Sequence, residues 1–326
     1  MNHDTHPLTS TERRAGAWYG LAVADALGAP VEFMSAAQVA AADPGWMELA
    51  GGGPWDPGEQ TDDTDLTLAN AAAYAPNGAF DVFRAARAAT AWLHRGPKDV
   101  GNLTADALRM IMAGHADARS AGQLALQNRP GSAGNGSLMR CAPTGLARHY
   151  TDPRLVSEAE ALSAYTHADE RCTAACVAFC GVLSALVHDG ADAQSALRVG
   201  ANLATGRSRE VDAIMQAVLH RSPLLYHDAP MGYVLLTLER ALVALRDAPD
   251  YAEGVLTVIR MGGDTDTNAC VAGAALGARF GLSGIPARWR ERIANPERLA
   301  AALAQLPDPR NAEGADPVSR AAPPEG

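Results

Sequence analysis

The chain has 326 residues, a formal net charge of −10 and a pI of about 5.3, values that disfavour a nonspecific nucleic-acid binder. Aromatic residues make up only 5% of the sequence while alanine is abundant, a composition that favours close-packed helices over strands. No apolar stretch is long enough to span a membrane and the polar N-terminus does not resemble a signal peptide, so we predict a cytoplasmic protein without a membrane segment.

Helical periodicity runs through most of the chain. It begins with a helix over residues 11–27 that Thr9 or Ser10 can cap and that residues 28–30 (GAP) end. Further helices are predicted near residues 64–75, 80–94, 103–115, 137–149, 154–165, 170–188, 191–204, 208–219, 231–246, 251–260, 266–280 and 287–305.

The predicted helices form one unit, because no alternating strand, fixed repeat or internal linker interrupts them. The sequence therefore predicts a single all-α domain over residues 1–306. We expect about the first ten residues to be flexible. Residues 307–326 are rich in Pro, Ala and charge and lack periodicity, so we predict a disordered tail.

The cysteines indicate packing. Cys172, Cys176 and Cys180 recur every four residues, which places them on one face of a helix as a buried stripe of small apolar side chains; a metal or redox cluster is the alternative. Cys141 and Cys270 are also interpreted as packing residues. The odd total of five argues against a disulfide framework.

Two acidic clusters stand about 200 residues apart, at residues 61–65 (TDDTD) and 262–267 (GGDTDT). Adjacent carboxylates repel one another unless positive charge lies between them. Oxygen donors without Cys or His suit hard ions such as Mg²⁺ or Mn²⁺. Helix capping is the alternative, because Thr and Asp are favoured at helix N-termini. The occurrence of two clusters favours metal binding and, if the fold joins them, a two-metal hydrolytic site.

Several separated motifs resemble the ADP-ribosylglycohydrolase family, and are most similar to its bacterial branch typified by the dinitrogenase-reductase-activating glycohydrolase. The motifs are residues 24–28 (ADALG) with Glu32, residues 61–64 (TDDT), residues 134–140 (GNGSLMR) and residues 262–267 (GGDTDT). Supporting matches are residues 99–102 (DVGN), 166–167 (TH) and 232–234 (GYV). The resemblance implies an all-α orthogonal bundle, here a single domain with a central dinuclear metal cleft.

The resemblance also implies a site with two divalent metal ions, Mg²⁺ or Mn²⁺. The family's metal ligands map onto Thr61, Asp62, Asp63, Asp264, Asp266 and Thr267. The candidate catalytic residues are Glu32, Asp62 and Asp63. Without the resemblance Glu32 would be interpreted as a solvated loop acid. Asp65 and Thr265 would have supporting or capping roles. Asp25 follows an apolar helical run, so its buried carboxyl group needs a hydrogen-bond or charge partner.

The substrate side is assigned by the same resemblance. The candidate contacts are Asp99, Asn102, Gly131, Ser132, Ala133, Asn135, His167 and Tyr233. The Gly-rich loop can expose N–H groups to a pyrophosphate, although such a loop is more often only a turn. Considered alone, His167 is a surface or core histidine and Tyr233 a core residue. Arg140 is interpreted either as a buried ion pair or as a phosphate contact.

The predicted function is a metal-dependent hydrolase that removes mono-ADP-ribose from modified proteins, with arginine as the favoured acceptor. Water activated at the two ions would cleave the bond. The partners are then an ADP-ribosylated protein and ADP-ribose, with no nucleic acid, and we predict a monomer. The alternatives are serine-linked ADP-ribose, poly(ADP-ribose) or O-acetyl-ADP-ribose as substrate, a non-catalytic ADP-ribose-binding protein, and a Mg²⁺-dependent phosphohydrolase.

Overall fold

A computed structural model of the protein describes residues 7–312, which form helices and isolated β-bridges without a strand. The first α-helices are α1 (Ser10–Gly28), α2 (Ala36–Ala41), α3 (Asp62–Ala71), α4 (Val82–His94), α5 (Asn102–Met112), α6 (Ala121–Asn128), α7 (Ala142–Ala147) and α8 (Arg154–Ala164). They are followed by α9 (Glu170–His188), α10 (Ala193–Ala204), α11 (Arg209–Leu219), α12 (Val234–Asp247), α13 (Tyr251–Arg260), α14 (Thr265–Gly284), α15 (Ala287–Arg290), α16 (Pro296–Gln305) and α17 (Pro309–Ala312). The all-α prediction is confirmed.

Some helix predictions were wrong in extent. Helices α2 and α6 were not predicted, and the helix predicted near 137–149 is only the short α7, preceded by a 3₁₀ turn at Asn135–Ser137. The helix predicted near 287–305 is divided into α15 and α16. Asn295 adopts the left-handed conformation (φ 50°) and Pro296 begins α16, since proline suits the first helical position and cannot continue the preceding turn.

The structure describes part of each end of the predicted domain. Thr9 caps α1 by accepting from the Glu12 N–H, so order begins before residue 10. At the other end α17 lies within the segment 307–326 that we predicted to be disordered, and the Leu306 carbonyl accepts from Arg14. Residues 1–6 and 313–326 lie outside the described part of the chain.

Helices α1 and α14 run antiparallel and pack with their backbones in close contact. Small residues make it possible, because a Cβ added at Gly277 would overlap the carbonyl oxygen of Gly16, and one at Gly20 would lie 2.5 Å from that of Gly273. At the far end a Cβ on Gly28 would lie 2.5 Å from the backbone of Asp266. The contact therefore places the C-terminus of α1 against the N-terminus of α14.

Helix α9 corrects the prediction about membrane segments. By length and composition alone it could cross a membrane, with a mean hydropathy of 1.6 over an 18-residue window, whereas we had found no stretch long enough. In the structure 83% of that window is buried among the other helices, as expected for the central helix of a helical core. Its three cysteines are buried and free, which agrees with the packing interpretation.

The close contact gives a stability prediction for Gly277→Ala. On helix propensity alone this change would stabilise α14 by about 1 kcal/mol. We expect instead a loss of about 3 kcal/mol in the free energy of unfolding, because the methyl group forces α1 and α14 apart. Urea titration followed by circular dichroism measures it. Gly101→Ala is the control, because a Cβ there would meet open space, and it should lower the free energy of unfolding by about 1 kcal/mol or less. Equal stability of Gly277→Ala and wild type would disprove the interpretation.

Candidate metal centre and substrate cleft

Asp25 holds the first acidic cluster in place from inside α1. Its carboxylate accepts from the backbone N–H groups of Thr61 and Thr64 at 3.1 Å and from the Thr64 hydroxyl at 2.5 Å. These donors are the free N–H groups at the start of α3, which a buried carboxylate satisfies well. Burial nevertheless raises the pKa of Asp25 to about 6. Asp25 thus has the partner that the sequence required, and it positions residues 61–64.

The second acidic cluster is held by the loop that follows α1. Gly262 and Gly263 adopt positive φ angles of 70° and 87°, and a Cβ on Gly262 would lie 2.6 Å from the Met34 carbonyl. The Gly263 N–H donates to Met34 at 2.7 Å, and the Phe33 N–H donates to the Gly263 carbonyl at 2.8 Å. These bonds attach the Glu32 loop to the N-terminus of α14, so glycine is needed here for close backbone approach.

Three carboxylates from these segments converge. One oxygen from each of Glu32, Asp264 and Asp266 lies within 4.8 Å of the other two. Asp63 lies beside them, and its Oδ2 accepts from the hydroxyls of Thr61 at 3.3 Å and Thr267 at 3.2 Å. The fold therefore joins the two acidic clusters that are about 200 residues apart in the sequence.

The cluster carries more negative charge than its surroundings can stabilise. Burial, together with the charges of Asp264 and Asp99, raises the pKa of Glu32 to about 8. Burial and neighbouring carboxylates also raise the pKa values of Asp62, Asp63 and Asp266 well above the usual range.

Two of the buried oxygens in the cluster have no hydrogen-bond donor. Asp63 Oδ1 and Asp266 Oδ1 lack a partner among residues 7–312. Buried carboxylate oxygens are normally paired, and an orphaned one requires an explanation. A divalent cation would satisfy both atoms and offset the repulsion, so this all-oxygen donor set fits Mg²⁺ or Mn²⁺.

The Gly-rich loop is connected to the acidic cluster by Asn135. Its Nδ2 donates to Asp264 Oδ2 and to the Thr237 hydroxyl, each at 2.9 Å. The Asn135 N–H donates to the Gly232 carbonyl at 2.9 Å, and the Val234 N–H donates to Ala133 at 3.0 Å. The loop is therefore held against residues 232–234 and its position depends on the cluster.

His167 lines the cleft, and a short hydrogen-bond relay behind it holds its ring. Arg140 Nη2 donates to the Thr166 hydroxyl oxygen at 2.6 Å, and that hydroxyl lies 2.8 Å from His167 Nδ1. Since the hydroxyl oxygen already accepts from Arg140, its hydrogen can donate to Nδ1, which leaves Nε2 as the protonated nitrogen. The Nε2 edge faces Gly134 and Gly136, where a Cβ on Gly136 would lie 2.9 Å from the ring.

Arg140 does not form the buried ion pair that was one of its two sequence interpretations. It is fully buried and has no carboxylate partner in the described chain. Its guanidinium donates to the Gly136 carbonyl and to Thr166, and lies 4.7 Å from the centre of the Tyr165 ring. This buried cation lies behind the Gly-rich loop, close enough to act electrostatically on His167.

A cleft of about 460 Å³ contains most of the predicted site residues. Those that line it are Glu32, Asp62, Asp99, Asn102, Ser132, Ala133, Asn135, His167, Tyr233, Asp264, Asp266 and Thr267. Thr61 and Asp63 are buried behind Asp62, and Gly131 lies outside the wall, where its carbonyl accepts from Arg171 at 3.0 Å.

Asp65 and Thr265, for which we expected supporting or capping roles, form their contacts outside the carboxylate cluster. Asp65 accepts from Trp92 Nε1 at 2.9 Å and pairs with Arg298, so it faces away from the cluster. The Thr265 hydroxyl donates to the Gly28 carbonyl at 2.8 Å and joins α14 to α1.

Sequence reasoning missed Arg171, which lies at the rim of the cleft. Its guanidinium pairs with Asp169 at 2.7 Å and donates to the Tyr233 hydroxyl at 3.2 Å. Together with its bond to Gly131 it joins the Gly-rich loop, the start of α9 and the segment before α12. Arg171 lies in none of the family motifs. The one local indication of its role is its position two residues after Asp169, the N-cap of α9.

The relay predicts the protonation state of His167. Burial and the nearby Arg140 charge lower its pKa to about 3, so the ring stays neutral from about pH 5 to pH 8. We expect ¹⁵N NMR of the imidazole to show a single Nε2–H tautomer that does not titrate in this range. Thr166→Val should populate both tautomers, whereas Thr144→Val, a buried threonine whose hydroxyl accepts from Tyr74, should not. A titrating His167 in the wild type would refute the assignment.

Comparison with known proteins agrees with this architecture. The family model for ADP-ribosylglycohydrolase matches residues 6–315. The chain is 31% identical over 291 residues to ADP-ribosyl-[dinitrogen reductase] glycohydrolase of Rhodospirillum rubrum, covering 86% of this chain and 90% of the relative. It is 30% identical over 321 residues to ADP-ribosylarginine hydrolase Tri1 of Pseudomonas putida (strain GB-1), covering 93% and 80%.

A solved structure described as an ADP-ribosylglycohydrolase-related protein complex shares the fold. The TM-score is 0.74 at 31% identity, and the match covers 91% of this chain and 98% of the other. Because the family model covers nearly the whole chain and two relatives match at 30% identity or more, the chain belongs to the ADP-ribosylglycohydrolase family, whose members hydrolyse glycosyl bonds.

Proposed function

We propose that this protein removes mono-ADP-ribose from arginine side chains of modified proteins and requires two divalent cations, Mg²⁺ or Mn²⁺. The observation that carries the proposal is the convergence of Glu32, Asp264 and Asp266 in a cleft that the Gly-rich loop also lines. The names of the relatives, an ADP-ribosylarginine hydrolase and an ADP-ribosyl-[dinitrogen reductase] glycohydrolase, support the substrate class. A monomeric, cytoplasmic enzyme remains our prediction.

The cations would be held by Asp62, Asp63, Asp264 and Asp266, with the Thr61 and Thr267 hydroxyls as neutral donors. Both hydroxyls now donate to Asp63 Oδ2 and would rotate to present their oxygens. When bound, divalent ions supply positive charge that stabilises developing oxyanions and acidifies water.

The positions of the carboxylates suggest which residue moves which proton. Asp62 lines the cleft, whereas Asp63 lies behind it with Oδ2 engaged by two hydroxyls, so we assign Asp62 as the base that accepts the proton of the attacking water. Glu32 is in the loop at the mouth and can transfer a proton to the leaving nitrogen. Cleavage at C1″ would pass through an oxocarbenium-like transition state, which the surrounding carboxylates stabilise.

The other residues of the cleft wall suggest how ADP-ribose binds. The N–H groups of Ala133 and Gly134 and the Nε2–H of neutral His167 would donate to the pyrophosphate, and the charge of Arg140, which is buried behind the loop, would attract it. We assign Asp99 and Asn102, which also line the cleft, as contacts to the ribose. Asp99 also influences Glu32 electrostatically, and this added negative charge favours a cationic guanidinium over a neutral serine as leaving group.

The first test compares acceptors directly. Peptides carrying ADP-ribose on arginine or on serine are incubated with Mn²⁺, Mg²⁺ or EDTA, and released ADP-ribose is measured by chromatography. We expect metal-dependent release from the arginine peptide and at least tenfold slower release from the serine peptide. Faster release from serine would move the assignment to that substrate class. Binding of ADP-ribose without any cleavage would support the non-catalytic alternative.

The second test separates metal binding from turnover. Asp266→Asn should abolish activity and raise the melting temperature of the metal-free protein by about 2 °C or more, because it removes one repelling buried carboxylate. Mn²⁺ should stabilise the wild type but have little effect on the variant. Thermal melts in EDTA and in Mn²⁺ measure both effects.

Asp65→Asn is the matched control for Asp266→Asn. This carboxylate pairs with Arg298 outside the cluster, so the variant should retain the full Mn²⁺-induced stabilisation. If Mn²⁺ stabilises Asp266→Asn as strongly as the wild type, Asp266 is not a ligand.

A further inference from the structure

A second cavity of about 370 Å³ opens beside the cleft. Phe33, Met231 and Asp264 form part of the walls of both spaces, so the two are adjacent. The second cavity, which we call the mouth cavity, is also lined by the apolar residues Met34, Ala36, Ala229, Leu236 and Met261 and by the polar residues Ser35, Gln38, His227 and Arg240.

Exposed apolar side chains are concentrated at the mouth cavity. The described chain exposes seven large apolar residues, and three of them, Phe33 (61%), Met231 (58%) and Met261 (37%), line this one space. Single exposed apolar residues are ordinary, but a group around one concavity marks an interaction surface. Methionine is well suited to such a surface because its flexible side chain adapts to different partners.

The backbone at Phe33 indicates that this exposure is imposed by the fold. Phe33 has a φ of 63°, a left-handed conformation that is rare for a bulky residue. The bond from its N–H to the Gly263 carbonyl, 2.8 Å long, maintains that conformation. Strain that holds an apolar ring towards solvent at the edge of a site is a sign of function.

The length of an arginine side chain determines what must lie at this surface. From backbone to guanidinium it spans about 7 Å, so a protein whose modified arginine reaches the carboxylate cluster has its own backbone at the mouth of the cleft. Phe33 and Met231 are exposed and line both spaces, so they would lie next to that backbone.

We propose that the mouth cavity binds the segment of the modified protein next to the ADP-ribosylated residue and accepts an apolar side chain from it. This inference rests on the function proposed above and adds a sequence preference to it. The lining favours leucine, methionine or a similar residue over lysine. Phe33, Met231 and Met261 offer apolar contacts, and Arg240 lies near Asp264, the one carboxylate of this lining, where it repels a second cation.

The experiment uses three substrates: free ADP-ribosylarginine, and two ADP-ribosylated peptides with either leucine or lysine on both sides of the modified arginine. For the wild type we expect a KM about tenfold lower for the leucine peptide than for the lysine peptide. Met261→Ser is the test variant, since Met261 lines the mouth cavity but not the cleft. It should raise KM for the leucine peptide about fivefold and leave kcat and the hydrolysis of free ADP-ribosylarginine unchanged.

Met112→Ser is the matched control, because Met112 is similarly exposed (47%) and lines neither space. It should leave all three substrates unchanged. Equal KM values of wild type and Met261→Ser for the leucine peptide would overturn the proposal, as would an equal change for free ADP-ribosylarginine. Dimerisation of the wild type that Met261→Ser abolishes in gel filtration would instead assign the cavity to a second copy of the chain.

Failure of the proposed function has a different signature. If the wild type cleaves none of the three substrates, calorimetry compares binding of the leucine peptide with binding of ADP-ribose. Tighter binding of the peptide, lost in Met261→Ser, supports the surface independently of turnover. Equal binding of the two ligands overturns it.

Discussion

The site depends on the glycine-mediated contact between α1 and α14. Gly16 and Gly20 on one helix face Gly277 and Gly273 on the other so closely that no side chain fits between them. Any larger residue would separate the helices and move the two ends that carry the chemistry. The loop with Glu32 follows α1, and Asp264 precedes α14, so a packing constraint far from the cleft sets the distance between them.

The acidic cluster is stable because local anchors oppose its repulsion. Asp25 accepts hydrogen bonds from the free N–H groups at the start of α3, and Asn135 of the Gly-rich loop donates to Asp264. These bonds compensate part of the cost of burying carboxylates, but the pKa values of Asp63 and Asp266 remain raised by burial and by neighbouring carboxylates. A bound cation would offset this repulsion and would thereby couple metal binding to the stability of the fold.

The cleft brings groups of opposite charge close together. Carboxylates and the Gly-rich loop both line it, and Arg140 is buried behind the loop. Arg140 has no carboxylate partner in the described chain, and its charge is therefore not cancelled locally. Asn135 joins the loop to Asp264, so movement of the loop would disturb the cluster.

The sequence by itself determined the helices, the oxygen-rich clusters and, through its motifs, the family. Helical periodicity depends only on neighbouring residues, and Thr and Asp mark helix starts because their side chains cap the nearest N–H groups. The tertiary structure alone shows that Asp65 pairs with Arg298 outside the cluster and that Glu32 lies beside Asp264. It also decided that Met34, Met231 and Met261 share one cavity. These groupings join residues up to about 230 positions apart, and helix packing, which no local pattern records, sets the distances between them.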